Sequence, residues 1–262
     1  MDVDTVNSEL KGIHDSARDL TALRGGSLAN RTQSSRSIAN MVETRALSPA
    51  ELEQRRVIHR DAASRAPADA FRELRMRLLA LGGADNFVTL VVPVSSGSGG
   101  SFVARNLAAA FAFDESRTAL LIDCNLRYPT QHVSLNVDPA SGGLIDYLEQ
   151  PSRNIQGMLY STGIPRMRLI PAGQVREATS ESFSSYRMRS LIDALRVRYP
   201  DRYLFLDGPP LTGSPDACIL SDLADIVVVV AAYGRDSSAQ INQAAASLDS
   251  NKLAGVVFNQ PP

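Results

Sequence analysis

Val91-Val92-Pro93-Val94-Ser95-Ser96-Gly97-Ser98-Gly99-Gly100-Ser101-Phe102 decides the reading of this chain. An apolar run enters the segment, a turn of glycine and serine fills its middle, and an Ala- and Leu-rich helical pattern, Phe102–Phe113, leaves it. Strand, glycine turn and helix make a phosphate-binding loop, whose main-chain N–H groups cradle an anion at the start of the helix. The chemistry of such a loop asks for Gly-Lys-Ser/Thr, and this chain has Gly99-Gly100-Ser101. The cradle is kept and the ammonium is missing. No lysine stands between Lys11 and Lys252, and the 27 basic residues are 25 Arg and 2 Lys. The same letters also suit a flexible linker, so the loop needs support from elsewhere in the sequence.

Two later segments supply it. Ala119-Leu120-Leu121-Ile122-Asp123-Cys124-Asn125-Leu126-Arg127 ends an apolar strand on a carboxylate, and Tyr203-Leu204-Phe205-Leu206-Asp207-Gly208-Pro209-Pro210 does the same. Further strands are predicted at Phe87–Val94, Met167–Ile170, Ile226–Ala232 and Leu253–Phe258. Helical patterns separate them at 102–113, Gly143–Glu149, 188–199 and Ser237–Leu248. Short, continuously apolar strands alternating with helices predict an α/β fold, a parallel sheet with helices on both faces in a three-layer sandwich. In such a sheet Asp123 and Asp207 arrive together at the carboxyl edge, beside the loop, where ligands bind. With Ser101 they form a candidate magnesium site, since that ion takes one or two carboxylates plus phosphates and water.

The flanks read differently. Residues 1–66 contain no aromatic residue and mix both charge signs with Ser, Asn, Thr and Gly, which predicts a mostly disordered N-terminal arm before a domain at 67–262. Within the arm, Ser48-Pro49-Ala50-Glu51 carries the signals of a capped helix start and predicts a short helix over Pro49–Arg60. A net charge of -1 gives no electrostatic case for nucleic acid. The longest apolar run, Ile226–Ala232, is strand length, so no membrane span is expected. Cys124 and Cys218 form no motif, which with the absence of a signal peptide pattern predicts a cytoplasmic protein.

From about Ala66 to its end the chain resembles the ATPase domain of the bacterial tyrosine kinase (BY-kinase) family of exopolysaccharide and capsule systems, P-loop NTPases related to partitioning ATPases. Ser95–Phe102 resembles the family's Walker A, Leu120–Arg127 its Walker A′ and Leu204–Pro210 its Walker B. The resemblance implies nucleotide contacts from Gly97, Ser98, Gly99, Gly100, Ser101 and Phe102, with Asn259 facing the adenine. It implies ATP or ADP with Mg2+ held by Ser101, Asp123 and Asp207, and catalytic work for Asp123, position 125 and Asp207. Asp69-x-x-Arg72-x-x-Arg75 resembles the motif through which family members pack into rings.

Three departures shape the functional expectation. Gly100 stands where the family has its P-loop lysine, Asn125 where it has a second Walker A′ aspartate, and no tyrosine follows Tyr233 to match the family's tyrosine-rich tail. Arg105 and Arg127 are the nearest cations to replace the lysine. The expectation is therefore a non-catalytic or weakly catalytic protein that regulates or scaffolds polysaccharide synthesis and export. It would sit at the inner face of the cell membrane through a membrane chain-length regulator (a polysaccharide co-polymerase), beside copies of itself or an active kinase. Two alternatives stand: an active ATPase or tyrosine kinase with an unorthodox loop, and a positioning ATPase for cellulose synthesis or polar organelles.

Overall fold

A computed structural model describes residues 41, 45–59, 65–83, 85–150, 152–177, 179–213 and 215–260. Seven strands form one sheet in the order β3-β4-β2-β5-β1-β6-β7. They are β1 (Val88–Pro93), β2 (Thr118–Asp123), β3 (Tyr160–Ser161), β4 (Met167–Ile170), β5 (Arg202–Asp207), β6 (Ile226–Ala232) and β7 (Leu253–Asn259). All neighbours pair in parallel except the short β3, which runs antiparallel to β4. The expected parallel sheet is thus present, with an antiparallel edge that the sequence did not announce.

Alternation along the strands sorts the core into two layers. Leu120, Ile122, Leu204 and Leu206 face one way and pack with helices α5 (Leu144–Glu149), α6 (Ser180–Ser184), α7 (Tyr186–Arg198), α8 (Asp216–Leu223) and α9 (Ser238–Ala246). Ala119, Leu121, Tyr203 and Phe205 face the other way, against α2 (Arg65–Gly82) and α3 (Gly100–Ala112). From Val103 to Ala112 every residue of α3 is buried, because its alanines let the helix lie close on the sheet. Phe87, Phe111, Tyr203 and Phe205 close the far end of this layer, with ring centroids 4.7–6.0 Å apart.

Helix α1 (Pro49–Gln54) forms where expected but ends earlier, and it carries a full capping box in which Ser48 and Glu51 satisfy each other's main-chain N–H groups. A turn with Arg56 at φ 54 stops it. This segment corrects the expected arm over residues 45–59, because Leu52, Val57 and Ile58 are buried in the same layer as α3. Asn106 of α3 fixes the turn, accepting from the Ile58 N–H (2.7 Å) and donating to the Arg56 carbonyl (3.0 Å). Composition missed this docking because three aliphatic anchors and one amide suffice for it. Residues 1–40 of the expected arm lie outside the described residues. Three of the described α-helices were not anticipated: α6, α8 and the five-residue α4 (Gln131–Leu135) that carries His132.

Replacing Asn106 by Ala leaves the Ile58 N–H and the Arg56 carbonyl without partners, at a cost of about 1–3 kcal/mol. At roughly 2–4 °C per kcal/mol, the melting temperature should drop by several degrees. An unchanged melt would mean that the turn draws no stability from this amide.

Candidate functional site

The carboxyl ends of β1, β2, β5, β6 and β7 converge on the loop between β1 and α3. Gly97 and Gly99 hold the positive φ values 81 and 89, a conformation that suits glycine. Side-chain atoms added at Gly99 would collide with Asn259, whose Nδ2 donates to the Ser98 carbonyl (3.1 Å) and ties the loop to β7. Asn259 therefore stands at the loop, where it holds main chain. Ser101 and Phe102 lie in the first turn of α3.

Gly100 has a different reason to be glycine. Its φ is not positive, so its helical backbone would accept any L-residue. Space forbids it, because a Cβ there would meet the ring of Pro93 at 2.7, 3.0 and 3.2 Å. Pro93, the last residue of β1, fills the volume from which a lysine side chain would have to start.

Neither expected substitute cation reaches the loop. Arg105 is buried behind α3 and donates to Gln131 Oε1 (3.1 Å), while Arg127 lies 3.7 Å from Asp216. The cation that does is Arg235, in the turn after β6, whose Nη2 donates to the Ser96 carbonyl at 2.9 Å. Beside it Asp236 turns its carboxylate into the loop and accepts from Ser95 Oγ (2.6 Å), Ser98 Oγ (2.7 Å) and the Ala232 N–H (2.7 Å). The loop thus closes around an internal anion as well as a cation. Position supplied the available signal, since the turn after β6 must emerge next to the end of β1.

Strand pairing sets Asp123 directly opposite Asp207, both fully buried. Asp123 accepts from three main-chain donors, Asn125 at its Oδ1 (3.2 Å) and Thr130 and Gln131 at its Oδ2 (3.1 and 3.0 Å). Its work is to fold the loop after β2. Asn125 shares that turn, its Oδ1 facing the Tyr128 N–H at 3.4 Å. Asp207 accepts from Gln131 Nε2 (2.7 Å) at its Oδ2, and its Oδ1 has no partner. No sequence pattern singles out Gln131. Its amide also donates to the Ser101 carbonyl (2.9 Å), so one buried carboxamide joins α3, the loop after β2 and β5. For a hydrated magnesium ion the orphaned Asp207 Oδ1 beside Ser101 is a fitting anchor, whereas both oxygens of Asp123 are already engaged by main-chain donors.

Burial raises both carboxyls, with mutual repulsion added at Asp123, to about 8 for Asp123 and about 6 for Asp207. Gln131, Ser101 and Arg105 hold Asp207 lower than burial alone would leave it. Cys124 is pushed well above its ordinary value by burial and then by these two charges, which makes it a packing residue and not a nucleophile.

Of the three stripe residues on α2, Asp69 and Arg72 are exposed and pair with each other at 2.5 Å. Arg75 departs from the expected outward stripe and donates to the Ala110 carbonyl of α3 (3.0 Å).

A mostly parallel sheet with a glycine loop between β1 and α3, and aspartates closing two neighbouring strands, defines a domain of the P-loop NTPase class. No family model matches the chain. It is 32% identical over 194 residues to the tyrosine-protein kinase wzc of Salmonella typhi, covering 73% of this chain and 26% of that protein. It is 31% identical over 204 residues to the putative tyrosine-protein kinase EpsB of Ralstonia solanacearum, covering 75% and 26%. Among solved structures, the BceF tyrosine kinase domain superposes with a TM-score of 0.64 at 26% identity, over 74% of this chain and 78% of that one. The chain belongs to the BY-kinase family of P-loop NTPases, and it spans about a quarter of the length of the curated relatives it matches.

The carboxylate pair gives a signed pH prediction. Both groups hold protons in the folded state at pH values where the unfolded chain has lost them. Their stabilisation is therefore complete below about pH 4 and drains away as pH rises through about 6 and then 8. Asp207→Asn keeps an acceptor for Gln131 and removes one charge. In EDTA, its melting temperature relative to the natural chain should climb between pH 5 and 8.5, reaching a gain of at least about 1 kcal/mol. A flat difference across that range would mean that the two carboxyls do not share a buried site.

Proposed function

We propose that this domain is a non-catalytic or weakly catalytic BY-kinase homologue that regulates or scaffolds exopolysaccharide or capsule synthesis and export. The observation that carries the reading is the Pro93 ring at the place of a Gly100 Cβ. A lysine is missing, and the protein has filled the space it would use. A charge-assisted hydrogen bond of this kind is worth about 1.5–3 kcal/mol, so its loss weakens nucleotide binding by roughly 10- to 100-fold. Phosphoryl transfer rests on positioning and charge stabilisation, and each preorganised donor removed costs about 10²–10³ in rate. Asn125 removes a second charge, and Asp236 adds an opposing one beside the loop.

What remains suits weak binding of ATP or ADP. The glycine turn and the start of α3 offer main-chain donors to an anion, and Ser101 with Asp207 would hold a hydrated magnesium ion, which supplies counter-charge to phosphate oxygens. The active-enzyme alternative draws its support from Arg235, whose guanidinium already touches the loop at Ser96. Calorimetry with Mg-ATP and a phosphotransfer assay separate the two. The expected result is a dissociation constant weaker than micromolar and no turnover. Turnover that Arg235→Gln abolishes would favour the enzyme. A complementary pair of variants tests the steric argument. Gly100→Lys alone should lower the melting temperature, while Pro93→Ala with Gly100→Lys should recover it and bind ADP at least about tenfold more tightly. Equal behaviour of the two variants would remove the argument.

The scaffolding role implies partners of the family's kind, a membrane chain-length regulator and further copies of this chain or of an active kinase. Among the described residues no helix is long and apolar enough to cross a membrane, so a seat at the inner face of the membrane would come through such a partner. The exposed Asp69 and Arg72 are the groups available for reciprocal pairing between subunits. Arg72→Glu should turn any oligomer seen in sedimentation into a monomer with an unchanged melt. An unaltered sedimentation profile would mean that the pair is an ordinary surface bridge.

A further inference from the structure

Behind α3, on the side away from the phosphate loop's glycines, lies a cavity of about 640 Å³ lined by Gln54, Arg55, Arg56, Arg105, Ser134 and Asn136, with Val133 as its apolar wall. Three of these side chains are guanidiniums and none is a carboxylate. Among the described residues no ion pair reaches Arg55, Arg56 or Arg105. Arg105 is 6% exposed, and its Nε has no hydrogen-bond partner although water cannot reach it. Burial first, and the charge of Arg56 besides, depress its basicity against the pull of Asp207.

This collection of charge is built by the fold. The left-handed Arg56, an uncommon conformation for a residue with a side chain, ends α1 so that Arg55 and Arg56 turn toward α4. Asn106 pins that turn to α3 one residue beyond Arg105. Arg55 donates its Nη1 to the Leu135 carbonyl at the end of α4 (2.8 Å), which fixes the opposite wall. Like charges gathered in a partly enclosed pocket repel, and a buried donor without an acceptor is costly. An anion would relieve both.

We propose that this pocket is an oxyanion site for a compact polyanion of the diphosphate class. Guanidiniums bind phosphate oxygens in pairs, and three of them match the roughly three charges of a diphosphate at neutral pH. The lining offers amides and a hydroxyl for the remaining oxygens and has no aromatic ring for a base. An occupant would also sit one relay from the carboxylate pair, because Arg105 donates to Gln131 and Gln131 donates to Asp207.

Calorimetric titration of the full chain with sodium pyrophosphate, in EDTA and at fixed chloride, tests the proposal. Arg56→Gln should weaken binding tenfold or more with unchanged melting, and Arg55→Gln should weaken it by a similar factor, while Gly99→Val, which deforms the phosphate loop, should leave it within about twofold. A parallel titration with ADP separates the sources. Binding that survives Gly99→Val and falls with Arg56→Gln means that the diphosphate of a nucleotide is admitted, and its absence means that the free ion is the ligand. Should Gly99→Val fail to fold, the Arg105 Nε–H resonance of the natural chain must shift during the pyrophosphate titration. The proposal is overturned if pyrophosphate does not bind at millimolar concentration. It is equally overturned if binding follows the Gly99 variant and not the arginine variants, or if only loop glycine resonances move.

Discussion

Parallel pairing of β1 between β5 and β6 is the constraint from which the rest of this molecule follows. Once those three strands run the same way, the turns after them must emerge on one edge, and each turn brings polar residues to the others. The glycine loop, the Asp207 segment and the Arg235–Asp236 turn meet there without any attraction between them being needed to choose the fold. Pairing of β2 with β5 then sets Asp123 against Asp207 in register, a juxtaposition that two carboxylates would never adopt by themselves. Main-chain hydrogen bonds and apolar burial across both faces of the sheet hold the pair together against its own repulsion.

The cost of that juxtaposition explains the polar network around it. A fully buried carboxylate is tolerated when it is protonated or amply hydrogen-bonded. Asp123 combines the two, a raised affinity for its proton and three main-chain amides, and those amides make it a folding determinant of the turn that follows β2. Asp207 accepts from one side-chain amide and keeps its other oxygen free. Gln131 occupies the centre because a carboxamide can donate to one carboxylate and accept from Arg105 at once. The carboxylates that would anchor a metal belong to a structural polar core, and Gln131 draws one of them toward the structural role.

Much of this was legible in the sequence because it rests on local pattern. The runs ending in Asp123 and Asp207 read as buried parallel strands, and both appear with their aspartates in register at the carboxyl edge. The Ser48 and Glu51 signals located a helix start to the residue. What stayed hidden depends on groups distant in sequence that meet only after folding. Gln131 and Asn106 are single amides with no periodicity around them, yet each joins segments tens of residues apart. Arg75 follows the spacing of a surface stripe, but its long side chain finds the Ala110 carbonyl of α3, an acceptor that no helical pattern encodes. Composition likewise misjudged residues 45–59, since it counts aromatic residues and docking here needed Leu52, Val57 and Ile58.

The contact between Pro93 and Gly100 also fixes the order in which this loop can change over generations. A lysine arriving first at position 100 would be met by a rigid ring with no rotamer to retreat into, so that step leads to a damaged fold. A smaller residue arriving first at position 93 leaves a gap under α3, a milder defect that the next substitution can fill. Any lineage that regains the ammonium passes through position 93 before position 100. A one-letter comparison of loop motifs would count a single difference, whereas the molecule requires two in sequence.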